Sequence, residues 1–388
     1  VGYDALTANT TASNNTAVGK SSLGVNTTGA ENTAIGGSAL ASNTTASNNT
    51  AIGFLTLGAN TTGVANVAIG NYALDANTTG DSNSVLGYLA LSSNTTGGAN
   101  TAIGHQALFA NTTASNNTAV GKDALTANTT GDVNVAVGTS ALGANTTASD
   151  NTAVGHNALD ANTTGANNTG IGRRALGANT TASNNTAVGK DALLSNTTGA
   201  NNVALGSQAL AANTTGEANV GIGYVTLDAN TTGNSNTAIG YSSMSSNTTG
   251  HSNVAVGRGT LDLNTDGINN TAVGFKAMED ATSGDNNTAV GRVALTNITT
   301  GSNNVGIGQG SLETLTTASD NTGVGFATLG NNTTGTQNVA VGANALDANT
   351  TGTRNTAVGY EALTSNTTAS NNTAIGDASL SGNTTGTG

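Results

Sequence analysis

The 388-residue chain contains no cysteine, no proline and no tryptophan. The lack of cysteine excludes a disulfide scaffold, a thiolate metal site and a cysteine nucleophile. The lack of proline leaves every residue its backbone N–H, as an unbroken ladder of parallel strands requires, and argues against a disordered linker. Charged residues make up 8% of the chain and aromatics 3%, against roughly 25% charged in an ordinary soluble domain. Nine Lys and Arg face 21 Asp and Glu, a net charge of -12, which disfavours nucleic acid and anionic lipid as partners. No run of 18 apolar residues occurs, so no insertion of this segment into a membrane is expected. The chain opens at Val1-Gly2 in mid-repeat, without an initiating Met or a signal peptide, and reads as a piece of something longer.

What fills the chain is a repeat. The pattern Asn-Thr-Ala-Val-Gly-x-x-Ala-Leu-x-x-Asn-Thr-Thr-Gly-x-x returns every 17 residues without insertion or deletion. A partial repeat over 1–14 precedes 22 complete repeats over 15–388, and the whole reads as one repeat array with no second domain. Self-similarity at a fixed period is the signature of a stacked solenoid.

Position one of the repeat is Asn throughout (Asn15, Asn32, Asn49), and position five is Gly throughout (Gly19, Gly36, Gly53). Position four is always Val, Ile or Leu, and position nine is Leu except at Met244 and Met278. Met is the near-isosteric replacement that a buried Leu tolerates, so positions four and nine are expected to form the core. Positions two and four share a face with a small residue between them, which is strand periodicity. Ala-Leu before Asn-Thr-Thr-Gly reads as a second short strand ahead of a turn. Each coil is therefore expected to hold two strands and two corners. A helical repeat is rejected, because the Gly corners and the Asn/Thr run leave too few residues, of poor helix propensity. The fold class is all-β, a parallel β-solenoid (β-roll) of 17-residue coils, with like residues about 4.8 Å apart along the axis.

Stacked Asn side chains suit such ladders. Position twelve is Asn except at Ala281, Ile298 and Leu315, in three consecutive repeats, which makes 262–317 the one locally distinctive region and the first place to look for a partner. Burial of two aliphatic side chains per coil, roughly 1.5 to 3 kcal/mol each, is thin against the backbone entropy of 17 residues at about 1 to 2 kcal/mol each. Further burial against identical chains is expected, on the small-residue face of positions three and eight.

The strings Asn15-Thr16-Ala17-Val18-Gly19, Asn66-Val67-Ala68-Ile69-Gly70 and Asn83-Ser84-Val85-Leu86-Gly87 resemble the head repeat of YadA-like trimeric autotransporter adhesins, and are similar to Asn-Thr-Ala-x-Gly arrays of phage tail-fibre-like proteins. The resemblance implies a left-handed β-roll, a homotrimer, and display as an attachment fibre on a cell or virion surface. The family repeat is shorter, and the Asn-Thr-Thr-Gly corner is extra here.

Position six gathers the unusual side chains: Tyr3, Phe54, Tyr88, Tyr224, Tyr241, Phe275, Phe326 and Tyr360, together with six of the nine basic residues. One reading is a repetitive surface for a host glycan or protein, gaining by avidity. The other, preferred, is that amphipathic side chains cover a seam between chains or coils. Acids at position ten, among them Asp75, Asp160, Asp228 and Asp347, are expected to be solvated charge that limits lateral aggregation. Gly170-Ile171-Gly172-Arg173-Arg174-Ala175 matches a loose dinucleotide fingerprint only because of the repeat, with no βαβ context. No catalytic group recurs, and no enzyme activity, cofactor or metal is expected. The sequence thus predicts a structural extracellular fibre acting as shaft or attachment surface, with end-to-end filaments as a variant. The alternatives are a glycan-binding solenoid, or an ice-binding one using the unbroken Thr ladder at position thirteen (Thr10, Thr27, Thr44).

Overall fold

β-Branched residues at positions two and four favour extended backbone, and among the described residues every strand covers positions two to four. The computed structural model describes residues 1–386; Thr387 and Gly388, the end of the last repeat, lie outside it. Two compact units are present, Val1–Thr198 and Gly199–Gly388. The first holds strands β1 (Thr16–Val18) to β11 (Thr186–Val188), and the second β12 (Val203–Leu205) to β22 (Thr373–Ile375). Within each unit, consecutive strands pair in parallel with a register of 17 residues, as in Thr16↔Thr33, Ala17↔Ala34 and Val18↔Ile35, or Val203↔Val220 and Leu205↔Ile222. Among the described residues there is no helix, and like residues stack on like.

The core differs from the expectation in one respect. Position nine is fully buried, from Leu23 to Leu363, including Met244 and Met278. Position four is not: Val18 is 42% exposed and Leu86 49%. The strand buries its central residue instead, so that Ala34, Ala51 and Ala68 face inward while positions two and four face outward; positions three and eight, expected to meet other chains, line the coil interior, as at Ala34 and Ala39. The reason is the narrow interior. A Cβ on Gly170, at position three, would lie 3.3 Å from Leu159 Cδ1 and 3.1 Å from the Ala175 carbonyl oxygen. The position-nine Leu already fills much of the coil, and opposite it stands Ala or Gly in every strand but one, where Val85 takes the place.

The second apolar segment is a turn and not a strand. Positions seven and nine adopt the left-handed region, as at Ser38 (φ 59°) and Leu40 (φ 51°), a conformation that costs an ordinary L-residue roughly 1–2 kcal/mol. Hydrogen bonds to neighbouring coils hold it there: the Leu40 N–H donates to the Thr56 carbonyl at 3.1 Å, and the Ser38 N–H to the Lys20 carbonyl at 2.8 Å. Each coil therefore has one strand.

The invariant glycine is required twice over. Gly36 has φ +142°, and a Cβ on it would sit 2.2 Å from the Gly53 carbonyl oxygen of the next coil. Both the backbone conformation and the close approach exclude a side chain.

Two buried amide columns fix the remaining corner. In the coil that starts at Asn32, the side-chain amides of Asn32 and Asn43 both donate to the Ala46 carbonyl, at 2.9 and 3.0 Å. Axially, Asn43 Nδ2 donates to Asn26 Oδ1 at 2.9 Å, and the Asn49 backbone N–H donates to Asn32 Oδ1 at 3.0 Å. The columns satisfy buried polar groups that could not otherwise be paired in so thin a core. Where position twelve changes, Ala281, Ile298 and Leu315 are each fully buried and stack on one another. Asn264 Oδ1, the last amide before them, is buried without a hydrogen-bond partner.

Candidate binding surfaces

Three surfaces follow from this coil. On the strand face, positions two and four carry only Thr, Val, Ser, Ile and Leu in every strand, with no charge and no aromatic. Nearly all are β-branched and hence stiff at χ1. On the turn face, positions six, seven, ten and eleven carry the variable side chains. On the corner face, the position-thirteen hydroxyls are committed to backbone: Thr10 Oγ1 donates to the Thr27 carbonyl and Thr27 Oγ1 to the Thr44 carbonyl, both at 3.0 Å.

The eight position-six aromatics are all exposed, from Phe275 at 38% to Tyr3 at 74%. The coil brings some of them together. Phe54 meets Tyr72 edge-on at 5.5 Å, Tyr72 meets Tyr88 edge-on at 6.2 Å, and Tyr88 stacks on His105 at 5.7 Å. In the second unit Tyr224 stacks on Tyr241 at 5.9 Å, and the Arg258 guanidinium lies 5.4 Å from the Tyr241 ring centre. Tyr3, Phe326 and Tyr360 make no ring contact with another aromatic among the described residues, and Phe275 meets only the Lys276 ammonium, at 5.9 Å. Sequence reading by position six missed Tyr72, which stands at position seven yet joins the first row of rings. Adjacent turn residues of successive coils touch, and that adjacency is visible only in the folded register.

The same adjacency makes an ion cluster that spacing alone did not reveal. Asp191, whose side chain is 7% exposed, takes Arg174 Nε at 2.9 Å, Arg173 at 3.7 Å and Lys190 at 3.8 Å. A cavity of about 330 Å³ adjoins it, lined by Asn157, Asp160, Arg174, Leu194 and Ser195 among others. Asp123 likewise sits between Lys122 and His105.

Four of the position-ten acids, expected as solvated charge, are half-buried. Burial pushes the carboxyls of Asp75, Asp160, Asp228 and Asp347 above their ordinary value. One oxygen each of Asp75 and Asp228 is buried with no hydrogen-bond partner. Partial burial in the turn desolvates part of the charge.

Among the described residues no group of three or more His, Asp or Glu could hold a metal ion, and no helix is long and apolar enough to cross a membrane. No family model and no curated protein sequence matches the chain.

Proposed function

We propose that this β-solenoid is a structural, non-enzymatic protein whose copies associate through their strand faces into an extracellular fibre, a shaft or attachment surface on a cell or virion. The observation that carries the reading is the uncharged strand face. Chains of net charge -12 repel one another, and identical copies meet at least cost where both surfaces are free of charge and already half apolar. The half-exposed aliphatic column at position four would gain the burial that the thin coil core does not supply. The resemblance to YadA-like heads and phage tail-fibre-like repeats favours a left-handed homotrimer, and stacking of such bundles end to end would give filaments.

Native mass measurement tests this. A trimer of the 37.3 kDa chain is expected, and Ile103→Glu with Val137→Glu, which place charge on the face, should dissociate it. A wild-type monomer at micromolar concentration overturns the assembly.

A second reading, ice binding, draws on the same face rather than on the committed position-thirteen hydroxyls. There, outward Thr and aliphatic side chains recur at a fixed strand spacing. Thermal hysteresis that is lost in the Ile103→Glu/Val137→Glu variant would favour it over self-association.

A further inference from the structure

Position seven, in the left-handed turn, carries a side chain in every repeat except two, where it is Gly259 and Gly310. Both glycines are buried, at φ 61° and 66°. Left-handed backbone does not by itself demand glycine here, since Gln106, Arg174 and Lys276 adopt it at the same position. What glycine supplies is room. A Cβ on Gly259 would meet nothing closer than Lys276 Cγ at 3.7 Å, and one on Gly310 nothing closer than Glu313 Oε2 at 3.2 Å. Each glycine floors a cavity, of about 290 Å³ at Gly259 and about 170 Å³ at Gly310.

The two cavities have walls of the same chemistry. An Arg, an aromatic ring and a carboxylate surround each glycine: Arg258, Tyr241 and Asp262 in one, Arg292, Phe326 and Glu313 in the other. Neither Arg has an ion-pair partner among the described residues; Arg258 rests on the Tyr241 ring instead. Asp262 accepts from the Ser245 hydroxyl, and Glu279, also at the first cavity, is paired with Lys276 at 2.8 Å. Donor and acceptor charges balance in each cavity, so a neutral ligand suits them. A guanidinium presents fixed donors and a carboxylate accepts two hydroxyl protons side by side, while ring edges and the exposed Phe326 offer apolar contact to C–H groups. Neutral hydroxylated rings meet all three requirements. Gly259 and Gly310 are three repeats apart within one unit, about 14 Å at about 4.8 Å per coil. One sugar ring cannot reach both, and an oligosaccharide lying along the axis can.

We infer that the cavities floored by Gly259 and Gly310 are paired subsites for a neutral oligosaccharide laid along the solenoid axis. Gly259 lies in the repeat just before Ala281, and Gly310 shares its repeat with Leu315, so the departures on the two faces of the coil are neighbours along the chain. The site lies within one chain and does not depend on fibre assembly.

Calorimetric titration with cellohexaose, maltohexaose and chitohexaose, each beside its disaccharide, tests the inference. At least one hexamer should bind, at least tenfold tighter than its disaccharide, because two subsites are engaged at once. Gly310→Gln should reduce that hexamer to its disaccharide's affinity, and Gly259→Gln with Gly310→Gln should abolish binding. Gln106 and Gln208 occupy the same turn position, so an unchanged circular dichroism spectrum and unchanged native mass are expected of both variants. Failure of all three hexamers to bind, equal affinity for hexamer and disaccharide, or full binding by the double variant overturns the site. Binding of free glycine or glutamate instead of the sugars overturns it in favour of a zwitterion pocket.

Discussion

Position twelve is occupied in two ways. From Asn26 to Asn179 in the first unit it is a column of amides, each bonded to the next and to the corner carbonyl of its own coil. Across Ala281, Ile298 and Leu315 in the second unit it is an apolar column of the same burial. The corner survives in both because the position-one amide still holds it: Asn287 Nδ2 donates to the Gly301 carbonyl at 2.8 Å and Asn304 Nδ2 to the Ala318 carbonyl at 2.9 Å. Position one is never replaced, since its oxygen also accepts a backbone N–H that has no other partner. In this solenoid the column that changes its chemistry does so as a block, and it is the one whose amide does not serve the backbone of the next coil.

The largest effect is expected at position one. Asn117→Ala removes the acceptor of the Asn134 N–H and the donor to the Gly131 carbonyl, and a buried unsatisfied N–H with lost bonds should cost about 3 kcal/mol. At position twelve, Asn128→Ala deprives Asn111 Oδ1 of its donor and should cost about 2 kcal/mol. Chemical denaturation of both variants ranks the two columns, and equal costs would remove the distinction. In the reverse exchange, Ile298→Asn alone, between Ala281 and Leu315, should destabilise by about 2 kcal/mol. The triple change Ala281→Asn, Ile298→Asn and Leu315→Asn rejoins the ladder at Asn264, so it should cost less than the sum of the three single changes by 1 kcal/mol or more, as coupled sites do.

The smallest effect concerns the turn. Because burial raises the carboxyls of Asp75 and Asp228 above 3.8 in the fold, the folded chain holds their protons more tightly than the unfolded chain. Stability from these groups is therefore greater as pH falls towards that value and lower at neutral pH. Asp228→Ser, the residue present at Ser245 one coil on, should stabilise by less than about 1 kcal/mol at pH 7 and lose that advantage near pH 4. Thermal unfolding at the two pH values reads the sign.

The register and the ladders were legible in the sequence because a 17-residue period with invariant Asn15, Gly19 and their successors leaves stacking as the only consistent arrangement. The direction of the strand was not. An all-aliphatic column such as Val18, Ile35 and Ile52 has the composition of a core, and only the length of the position-nine Leu in so narrow a coil turns it outward. Nor does a residue list show that Leu40 lies in a left-handed turn, because hydrogen bonds from both neighbouring coils impose that conformation against its propensity. The binding candidates were legible by half: position six stood out by composition, whereas Tyr72, Asp191 and the two glycine cavities depend on which side chains meet one coil apart.

The most direct test of stacked coils uses a chain without native cysteine. Nitroxide labels at Thr113→Cys and Thr130→Cys, two exposed residues 17 apart, should lie about one strand spacing apart and give a strongly spin-broadened spectrum when diluted with unlabelled protein. A doubly labelled spectrum equal to the sum of the two singly labelled ones would contradict the account.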